Sequence, residues 1–490
     1  MKKTMTLLLL AAMLLQLAAC GGDVPAADDT TASGDVGETT APAEEYDYPA
    51  LDLGGAEFTV LTVQPTWAMN TEIDLESQTG EALDDAIYKR NRWLEEKWSF
   101  KLGVVEAEMY KVAPTLRTAV AAGDDVYDIA FPEGQLMNAV ISEGAVMNLF
   151  DVDTVHLTEP WWNQITYRDA VLGKDEYIYF AQSNLSLIAF DLTWCLFFNE
   201  GMMEDLKLDM PYQLVKDGKW TMDRLIEYCK KAANLNGDDS FAVKADGKAT
   251  YGLTQYYNGT LATIVGAGIK FAEKDDKGMP KFNLESERFY NTIEKICSLT
   301  GAEGEFLNTV SGSIGNAESS LGIFAADRAL FAGGEVKGAG ELRNMESTFG
   351  LLPYPKMDEA QEEYRSWTNY LSAVATIPVT AKDVSASGAI LDALSYLSYR
   401  DVLPVYYDIT VSQKGLRNAE SIEMMQILRD SRSIDFTRVF PIATDLGEAL
   451  RTLVSDGAGD VSGAASVIES NKSYVEAELQ KVLDAMKKNQ

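Results

Sequence analysis

The stretch Phe58-Thr59-Val60-Leu61-Thr62-Val63 decides the fold class of this chain. It is a short apolar run that stops just before Pro65, a pattern typical of a buried strand that ends in a loop. Over 81–98, apolar residues recur at helical spacing while charged residues occupy the other face. The sequence therefore predicts a buried strand followed by an amphipathic helix.

Strand and helix continue to alternate along the chain from this point. Apolar runs predict strands at 100–105 and 126–131, with a helix at 110–122 between them. Such alternation indicates βαβ units, and hence an α/β fold with mainly parallel sheets flanked by helices. Ligands in open parallel sheets bind beyond the carboxyl ends of the strands. The loops at 64–70 and 132–137 are therefore the first places to look for a site.

The later part of the chain repeats this style, and no internal repeat is visible. Thr221 is a suitable N-cap for a following helix, with Asp223 in the first turn. Amphipathic patterns predict further helices near 286–299, 387–399, 421–429 and 470–486.

The first residues of the chain have the features of a bacterial lipoprotein signal peptide. Lys2 and Lys3 precede a short apolar core at 5–17, which is too short to span a bilayer. Leu17-Ala18-Ala19-Cys20 resembles the lipobox at which signal peptidase II cuts. We therefore expect residues 1–19 to be removed and Cys20 to carry the lipid anchor, which holds the body at the outer face of the cell membrane.

The segment from Cys20 to residue 48 reads as a flexible acidic linker. It contains no Lys or Arg, and no aromatic residue before Tyr46. Such a composition cannot bury enough apolar surface to offset the entropy lost on ordering. The remaining 442 residues, from Pro49 to Gln490, are enough for two or three domains.

The charge and the rarity of histidine exclude several classes of function. The 42 basic and 75 acidic residues give a formal net charge of −33, which argues against nucleic-acid binding. His156 is the single histidine, and it falls in a predicted solvated loop. Nucleotide-binding and zinc-protease motifs are absent from the sequence. We expect no catalytic group, no cofactor and no metal, and we expect Cys195, Cys229 and Cys297 to be buried thiols rather than a disulfide framework.

Several segments resemble one known family. Gly80 to Asn91 resembles its first helix, and Asp125 to Phe131 resembles its strand leading into a ligand cleft. The most specific run comprises 327–331, 342–346, 349–356 and 361–364, in which order and spacing agree together. These segments are similar to the extracellular solute-binding proteins for carbohydrates, family 1, the group that includes maltodextrin-binding protein.

The resemblance implies a two-lobed periplasmic-binding-protein-like fold of type II, with the ligand cleft between the lobes. It places lobe 1 at 49–182 and 328–370, and lobe 2 at 183–327 and 371–490. It also implies a monomer that captures a small solute, such as a sugar or oligosaccharide, and delivers it to the permease subunits of an ABC importer. Capture of this kind requires no chemical step.

A neutral sugar needs aromatic platforms for its apolar faces and polar partners for its hydroxyl groups. We expect the following residues on the predicted cleft loops to form the site: Trp67, Trp161, Trp162 and Trp367 as platforms, with Glu133, Gln135, Asn184, Arg365 and Asn369 as polar partners, and Asp125 as a further contributor. A tryptophan in such a position is more often a core residue than a ligand platform.

Two other functions remain open at this point. A lipid-anchored glycoside hydrolase or lyase would act on the same polymers, and the many carboxylates of the chain offer possible catalytic pairs. A surface adhesin would gather polysaccharide without transport. A binder leaves the sugar unaltered, whereas an enzyme changes it and an adhesin prefers insoluble polymer.

Overall fold

The apolar run near residue 60 is the central strand of a three-stranded sheet. The strands are β1 (Ala56–Val63), β2 (Phe100–Ala107) and β3 (Ile129–Ala130). β2 and β3 both run parallel to β1, which confirms the predicted parallel arrangement. Val60 and Leu61 are fully buried, as expected for a strand covered on both faces.

The computed structural model describes residues 46–66, 70, 72–413, 419–439, 442–455 and 461–488. The predicted signal peptide, the predicted lipidation site Cys20, most of the acidic segment and Trp67 lie outside the described residues. Tyr46–Gln490 forms one compact unit. None of the described helices is both long enough and apolar enough to cross a membrane.

A second sheet has five strands in the order β10-β4-β9-β5-β8. β5, β8 and β9 run parallel to one another, whereas β4 runs antiparallel to its two neighbours, β9 and β10. Two short ribbons, β6 with β7 and β11 with β12, lie outside this sheet. The strands after β3 are β4 (Trp194–Asn199), β5 (Tyr251–Tyr256), β6 (Ala272–Lys274), β7 (Pro280–Phe282), β8 (Phe306–Thr309), β9 (Ala329–Glu335), β10 (Phe349–Leu352), β11 (Ser366–Trp367) and β12 (Arg432–Ser433).

Helices cover the two sheets and contribute most of the remaining core. In chain order they are α1 (Ala82–Trp98), α2 (Val112–Ala122), α3 (Met137–Ser142), α4 (Gln164–Ala170), α5 (Ile188–Asp191), α6 (Glu200–Asp205), α7 (Tyr212–Lys216), α8 (Met222–Ala232), α9 (Asn258–Gly266), α10 (Glu287–Thr300), α11 (Ser320–Ala325), α12 (Val384–Leu397), α13 (Leu403–Gln413), α14 (Ala419–Ser431), α15 (Phe436–Val439), α16 (Thr444–Ser455) and α17 (Val461–Lys488). Short 3₁₀ turns occupy Gly134–Leu136, Leu149–Asp151 and Val336–Asn344, and a π-helical turn joins α12 to α13 at Ser398–Val402.

The pairing of strands corrects the predicted lobe boundaries. β9 and β10 pair with β4 in the second sheet, so 328–370 does not belong with the first sheet. The chain then returns to the first sheet, where Thr376 pairs with Ala130 and Ala375 pairs with Ala181. Residues 328–370, assigned to lobe 1, therefore lie with the second sheet. The start of 371–490, assigned to lobe 2, instead packs against the first sheet.

The three cysteines of the body are buried thiols, as predicted, and they form no disulfide within the described residues. Burial raises the pKa of the Cys195 and Cys229 thiols, because a thiolate would lose its hydration there.

Candidate functional site

The carboxyl ends of the parallel strands line a cavity in the second sheet. β5 ends at Tyr256, β8 at Thr309 and β9 at Glu335, and the register of the strands brings these ends to one edge. The cavity holds about 360 Å³, within the range of small-molecule sites. Its lining comprises Tyr256, Tyr257, Val310, Ser311, Gly312, Ser313, Leu321, Gly333, Gly334, Glu335, Lys337, Gly338 and Glu341.

The loop after β8 is shaped by its contact with an aromatic ring. A Cβ on Gly312 would lie 2.7 Å from the Tyr256 ring, so only glycine lets the loop pass this closely. Beside it, Val310 is 88% exposed and Tyr257 is 45% exposed, which is unusual for large apolar side chains. The rim of the cavity therefore offers apolar surface to an incoming molecule.

Five aromatic rings form a continuous row behind this rim. Tyr257 packs edge-on against Tyr256, and Tyr256 lies 5.0 Å from Trp194 between ring centroids. Trp194 contacts Trp367 at 5.7 Å, and Trp367 contacts Tyr370 at 6.3 Å. The Trp194 Nε1 proton is buried and has no hydrogen-bond partner among the described residues. Trp194 is fully buried and is not part of the cavity lining, so this donor lies out of reach of a ligand in the cavity.

Charged and amide groups stand beside the aromatic row. The Glu335 carboxylate accepts a hydrogen bond from Asn369 Nδ2 at 3.1 Å and lies 3.2 Å from Lys337 Nζ. The nearby Glu335 charge also contributes to raising the pKa of Tyr256, although burial is the larger cause. The Tyr256 phenol therefore stays protonated at neutral pH and can donate a hydrogen bond. Asn369 and Trp367 thus lie next to the cavity, and their predicted contact with a ligand stays a prediction.

The first sheet supplies polar groups at its own carboxyl edge. Glu133 and Gln135 follow β3, and the Gln135 backbone N–H donates to the Tyr370 carbonyl at 3.0 Å. Tyr110 follows β2, is 46% exposed and has a φ of 67°, which is rare for a residue with a Cβ. Its backbone N–H donates to the Glu133 carboxylate. The segment around Tyr370 therefore links the carboxyl edges of both sheets.

A second link joins the loop after β1 to the same region. Asp191 is buried and accepts hydrogen bonds from the Asn70 backbone N–H at 2.6 Å and from Tyr406 Oη at 2.8 Å. Asn70 Nδ2 also donates to this carboxylate. Asp191 stands three positions before Trp194, so the end of the predicted 64–70 loop is anchored next to the aromatic row.

Burial makes Glu133 sensitive to pH. Its carboxyl group is buried, which raises its pKa above the ordinary value of 4.5. The native protein therefore holds this proton more tightly than the unfolded chain. The resulting stability is fully present below the unfolded pKa and is lost as pH rises through the native pKa.

We expect Glu133→Gln to remove this pH dependence. Relative to wild type, the free energy of unfolding of Glu133→Gln should increase between pH 4 and pH 7, as measured by urea titration at each pH. Glu143→Gln is the matched control. Arg117 lowers the pKa of Glu143, so that substitution should change relative stability in the opposite direction, or not measurably, because the Glu143 side chain is exposed. If the difference in free energy of unfolding between Glu133→Gln and wild type is the same at pH 4 and pH 7, the pKa of Glu133 is not raised in the native protein.

Three of the predicted residues lie in a different, buried cluster. The indole N–H groups of Trp161 and Trp162 donate to Asp392 Oδ1 at 3.0 and 2.8 Å. Asn184 Nδ2 donates to the Trp161 carbonyl at 2.8 Å. Both indoles are buried and their polar atoms are already bonded. This geometry places Trp161 and Trp162 apart from the aromatic row, so neither is a platform in the cavity at the end of β9.

The same aspartate explains the position of the single histidine. His156 Nδ1 lies 2.7 Å from Asp392 Oδ2, and the His156 backbone N–H donates to Asp392 Oδ1 at 3.1 Å. Asp392 is fully buried on α12. His156 is 51% exposed in a loop, as predicted, and the buried Asp392 carboxylate additionally holds one face of its ring.

Arg365 and Asp125 are also placed away from the aromatic row. Arg365 is buried and bonded to Asp169 at 2.7 Å, and a second Arg365 nitrogen lies 3.2 Å from Glu363. Asp125 is exposed and precedes β3, so it lies at the amino end of that strand. Ligands bind at the opposite ends of parallel strands. These two positions do not support the predicted ligand roles.

The sequence analysis missed residues that line the cavity, namely Tyr256, Tyr257, Glu335 and Lys337. One local signal could have found Glu335, because the apolar run Leu330-Phe331-Ala332 is followed by two glycines and then this acid. That pattern is typical of a buried strand whose carboxyl end approaches a ligand.

Comparison with known proteins agrees with this architecture. No protein-family model matches the sequence, and no curated protein matches it significantly. Among solved structures, UspC of M. tuberculosis is 16% identical, with a TM-score of 0.55 over 86% of this chain and 100% of that one. A sugar transporter of Rhizobium etli in an open conformation is 11% identical, with a TM-score of 0.54 over 86% of this chain and 99% of that one.

A third solved structure is the maltose-binding periplasmic protein MalE of Listeria monocytogenes in complex with maltose. It is 14% identical, with a TM-score of 0.53 over 87% of this chain and 98% of that one. The chain therefore has the two-lobed α/β fold of type II periplasmic binding proteins.

Proposed function

We propose that the protein is an extracytoplasmic solute-binding protein that captures a sugar or oligosaccharide between its two sheets. The observation that carries the proposal is the pair of aromatic rings in the cavity lining, Tyr256 and Tyr257, beside the Glu335 carboxylate. The solved MalE structure of the same fold was determined with maltose.

The chemistry of the cavity fits a neutral polyhydroxyl ligand. Aromatic faces bury the C–H faces of pyranose rings, and a carboxylate accepts hydrogen bonds from neighbouring hydroxyl groups. Lys337 Nζ and the Tyr256 phenol add donors next to Glu335. A long apolar ligand would leave these polar groups unpaired, which costs free energy.

The arrangement also suits capture by closure. Polar and aromatic groups lie at the carboxyl edges of both sheets, so a solute that contacts both edges would favour the conformation in which they approach each other. The crossing segments around Asn369 and Asp191 are the places where such a movement would bend. An ABC importer would then recognise the closed form of the protein and receive the solute from it.

The amino-terminal segment supports a role at the cell surface. Two acyl chains on Cys20 are sufficient for stable anchoring, and a flexible linker of this length has a root-mean-square reach of about 30 Å. The body would thus remain close to a permease in the same membrane. Globomycin treatment of expressing cells should leave a precursor that retains residues 1–19, visible as a larger band.

Calorimetry tests the binding proposal directly. We expect one-to-one, saturable heat with at least one oligosaccharide in a panel of mono-, di- and longer saccharides, and an unchanged chromatographic profile of the sugar after incubation. Hydrolysis of the sugar would indicate a glycosidase, and preference for insoluble polymer would indicate an adhesin. Absence of binding to every saccharide, with binding of peptides, would overturn the carbohydrate proposal.

Tyr257→Ala should weaken sugar binding about tenfold, because a partly exposed aromatic platform contributes about 1 kcal/mol beyond general burial. Its exposure should leave the melting temperature nearly unchanged. Tyr474→Ala is the matched control, since Tyr474 is similarly exposed on α17 and does not line the cavity. Equal affinities for Tyr257→Ala and wild type would remove Tyr257 from the site.

A further inference from the structure

A second cavity is lined in part by Trp162, one of the residues that the sequence analysis proposed for the ligand site. It holds about 360 Å³ and shares no lining residue with the cavity at the end of β9. Trp162, Asn184, Tyr399, Arg429 and Arg432 contribute to its lining. The proposed sugar-binding role makes no use of these side chains.

Arg432 is a buried cation with incomplete bonding. It is 1% exposed, and its guanidinium lies 3.8 Å from the ring centroid of Phe190. Nε donates to the Arg429 carbonyl at 3.0 Å, and Nη2 donates to Asn184 Oδ1 at 3.3 Å. Nη1 has no hydrogen-bond partner within the described part of the chain. Burial lowers the pKa of Arg432 to about 10, still well above neutral pH.

The acid nearest to this cation is already engaged. Arg429 Nε and Nη2 donate to the two carboxylate oxygens of Asp430 at 2.6 and 2.9 Å. Asp430 is the acidic residue of the cavity lining, so two arginines face one carboxylate there. In a chain with a formal net charge of −33, this cavity therefore carries local positive charge.

A buried cation without a counter-ion is unfavourable, and a bound anion would relieve it. A carboxylate matches the planar fork of a guanidinium, whereas the aromatic faces of Trp162 and Tyr399 suit an apolar or ring-shaped body attached to it. We propose that this second cavity binds the carboxylate group of a small organic acid, with Arg432 and Arg429 as its cationic partners.

The carboxylate could belong to a free organic acid or to an acidic sugar. Calorimetry on the full chain with benzoate and galacturonate separates these sources, with benzamide and galactose as neutral counterparts. We expect saturable binding of at least one carboxylate that depends on Arg432, and no Arg432-dependent binding of the matching neutral compound. Tighter binding of galacturonate would identify an acidic sugar, and tighter binding of benzoate a free acid.

Arg432→Met removes the charge while retaining much of the side-chain volume, and it should weaken carboxylate binding at least tenfold. Arg400→Met is the matched control, because Arg400 is exposed and paired with Asp401, and it should bind the carboxylate as wild type does. Arg429→Gln gives a second test at the edge of the cavity should Arg432→Met fail to fold, as judged by circular dichroism.

Two results would overturn the proposal: equal binding of a carboxylate and its neutral counterpart, or undiminished binding in the arginine variants. The outcome is independent of the proposed sugar site. Glu335→Gln alters the cavity at the end of β9, so it should weaken neutral oligosaccharides and leave benzoate or galacturonate binding at the second cavity unchanged.

Discussion

Replacing Asp392 with alanine should lower the free energy of unfolding by about 4 kcal/mol. The carboxylate is fully buried and accepts hydrogen bonds from the indoles of Trp161 and Trp162 and from the backbone of His156. Alanine would leave the two buried indole donors without a partner inside the protein. Urea unfolding should show a lower midpoint with an unchanged m-value.

Asp401→Ala is the matched control for this substitution. Asp401 forms an exposed pair with Arg400, and such pairs contribute at most about 1 kcal/mol. Asp392→Asn adds a third comparison, since it preserves the shape of the side chain and one acceptor oxygen. We expect its stability to lie between those of wild type and Asp392→Ala. A loss below 1 kcal/mol for Asp392→Ala would show that the indoles find other acceptors.

Glu335→Gln should weaken oligosaccharide binding about 100-fold, equivalent to about 2.7 kcal/mol. A carboxylate can accept short, charge-assisted hydrogen bonds from two sugar hydroxyls, whereas a neutral amide accepts weaker bonds. The substitution also removes the partner of Lys337, which lies 3.2 Å away. Isothermal titration calorimetry with the tightest saccharide of the panel measures the loss.

The control for Glu335→Gln is Glu346→Gln, an exposed position with the same change of charge. It should bind sugar as wild type does, which separates a local effect from a change in net charge. Circular dichroism should confirm that both variants are folded. If Glu335→Gln binds sugar with wild-type affinity, the Glu335 carboxylate does not contact the sugar.

The sequence predicted the first sheet well because its signals are local. The apolar run at 58–63 became β1 at Ala56–Val63, and the helix predicted at 81–98 became α1 at Ala82–Trp98. Each of these elements is bounded by its own turn residues and shows its own periodicity. The strand predicted at 126–131 is shorter, in part because the Asp128 carboxylate, rather than a backbone carbonyl, accepts the Thr59 N–H.

The lobe boundaries could not be predicted in the same way. β4 and β9 are neighbours in the second sheet although more than 120 residues separate them in the chain, and their pairing depends on tertiary contacts. The resemblance to a known family gave the correct type of fold, but it assigned residues 328–370 and the start of 371–490 to the wrong lobes. The periodicity of a strand does not indicate which distant strand it pairs with.

The candidate site was predicted only in part for a related reason. Glu133 and Gln135 follow β3, where the rule for parallel sheets directs the search, whereas Trp367 and Asn369 lie in a crossing segment. Contact of these four residues with a ligand stays a prediction. The pair Trp161-Trp162 has the composition of a ligand platform, but its partner Asp392 stands about 230 residues later in the chain. A buried acceptor at that distance cannot be inferred from the local sequence.

The burial of Cys195, Cys229 and Cys297 makes the folded body a convenient frame for a fluorescent sensor. Maleimide dyes react with thiolates that solvent can reach, so these three side chains should remain unlabelled while the protein is folded. A cysteine introduced at Val310, at the rim of the cavity, would then be the preferred attachment point of the body. A dye at that position would report occupancy of the cavity through its emission.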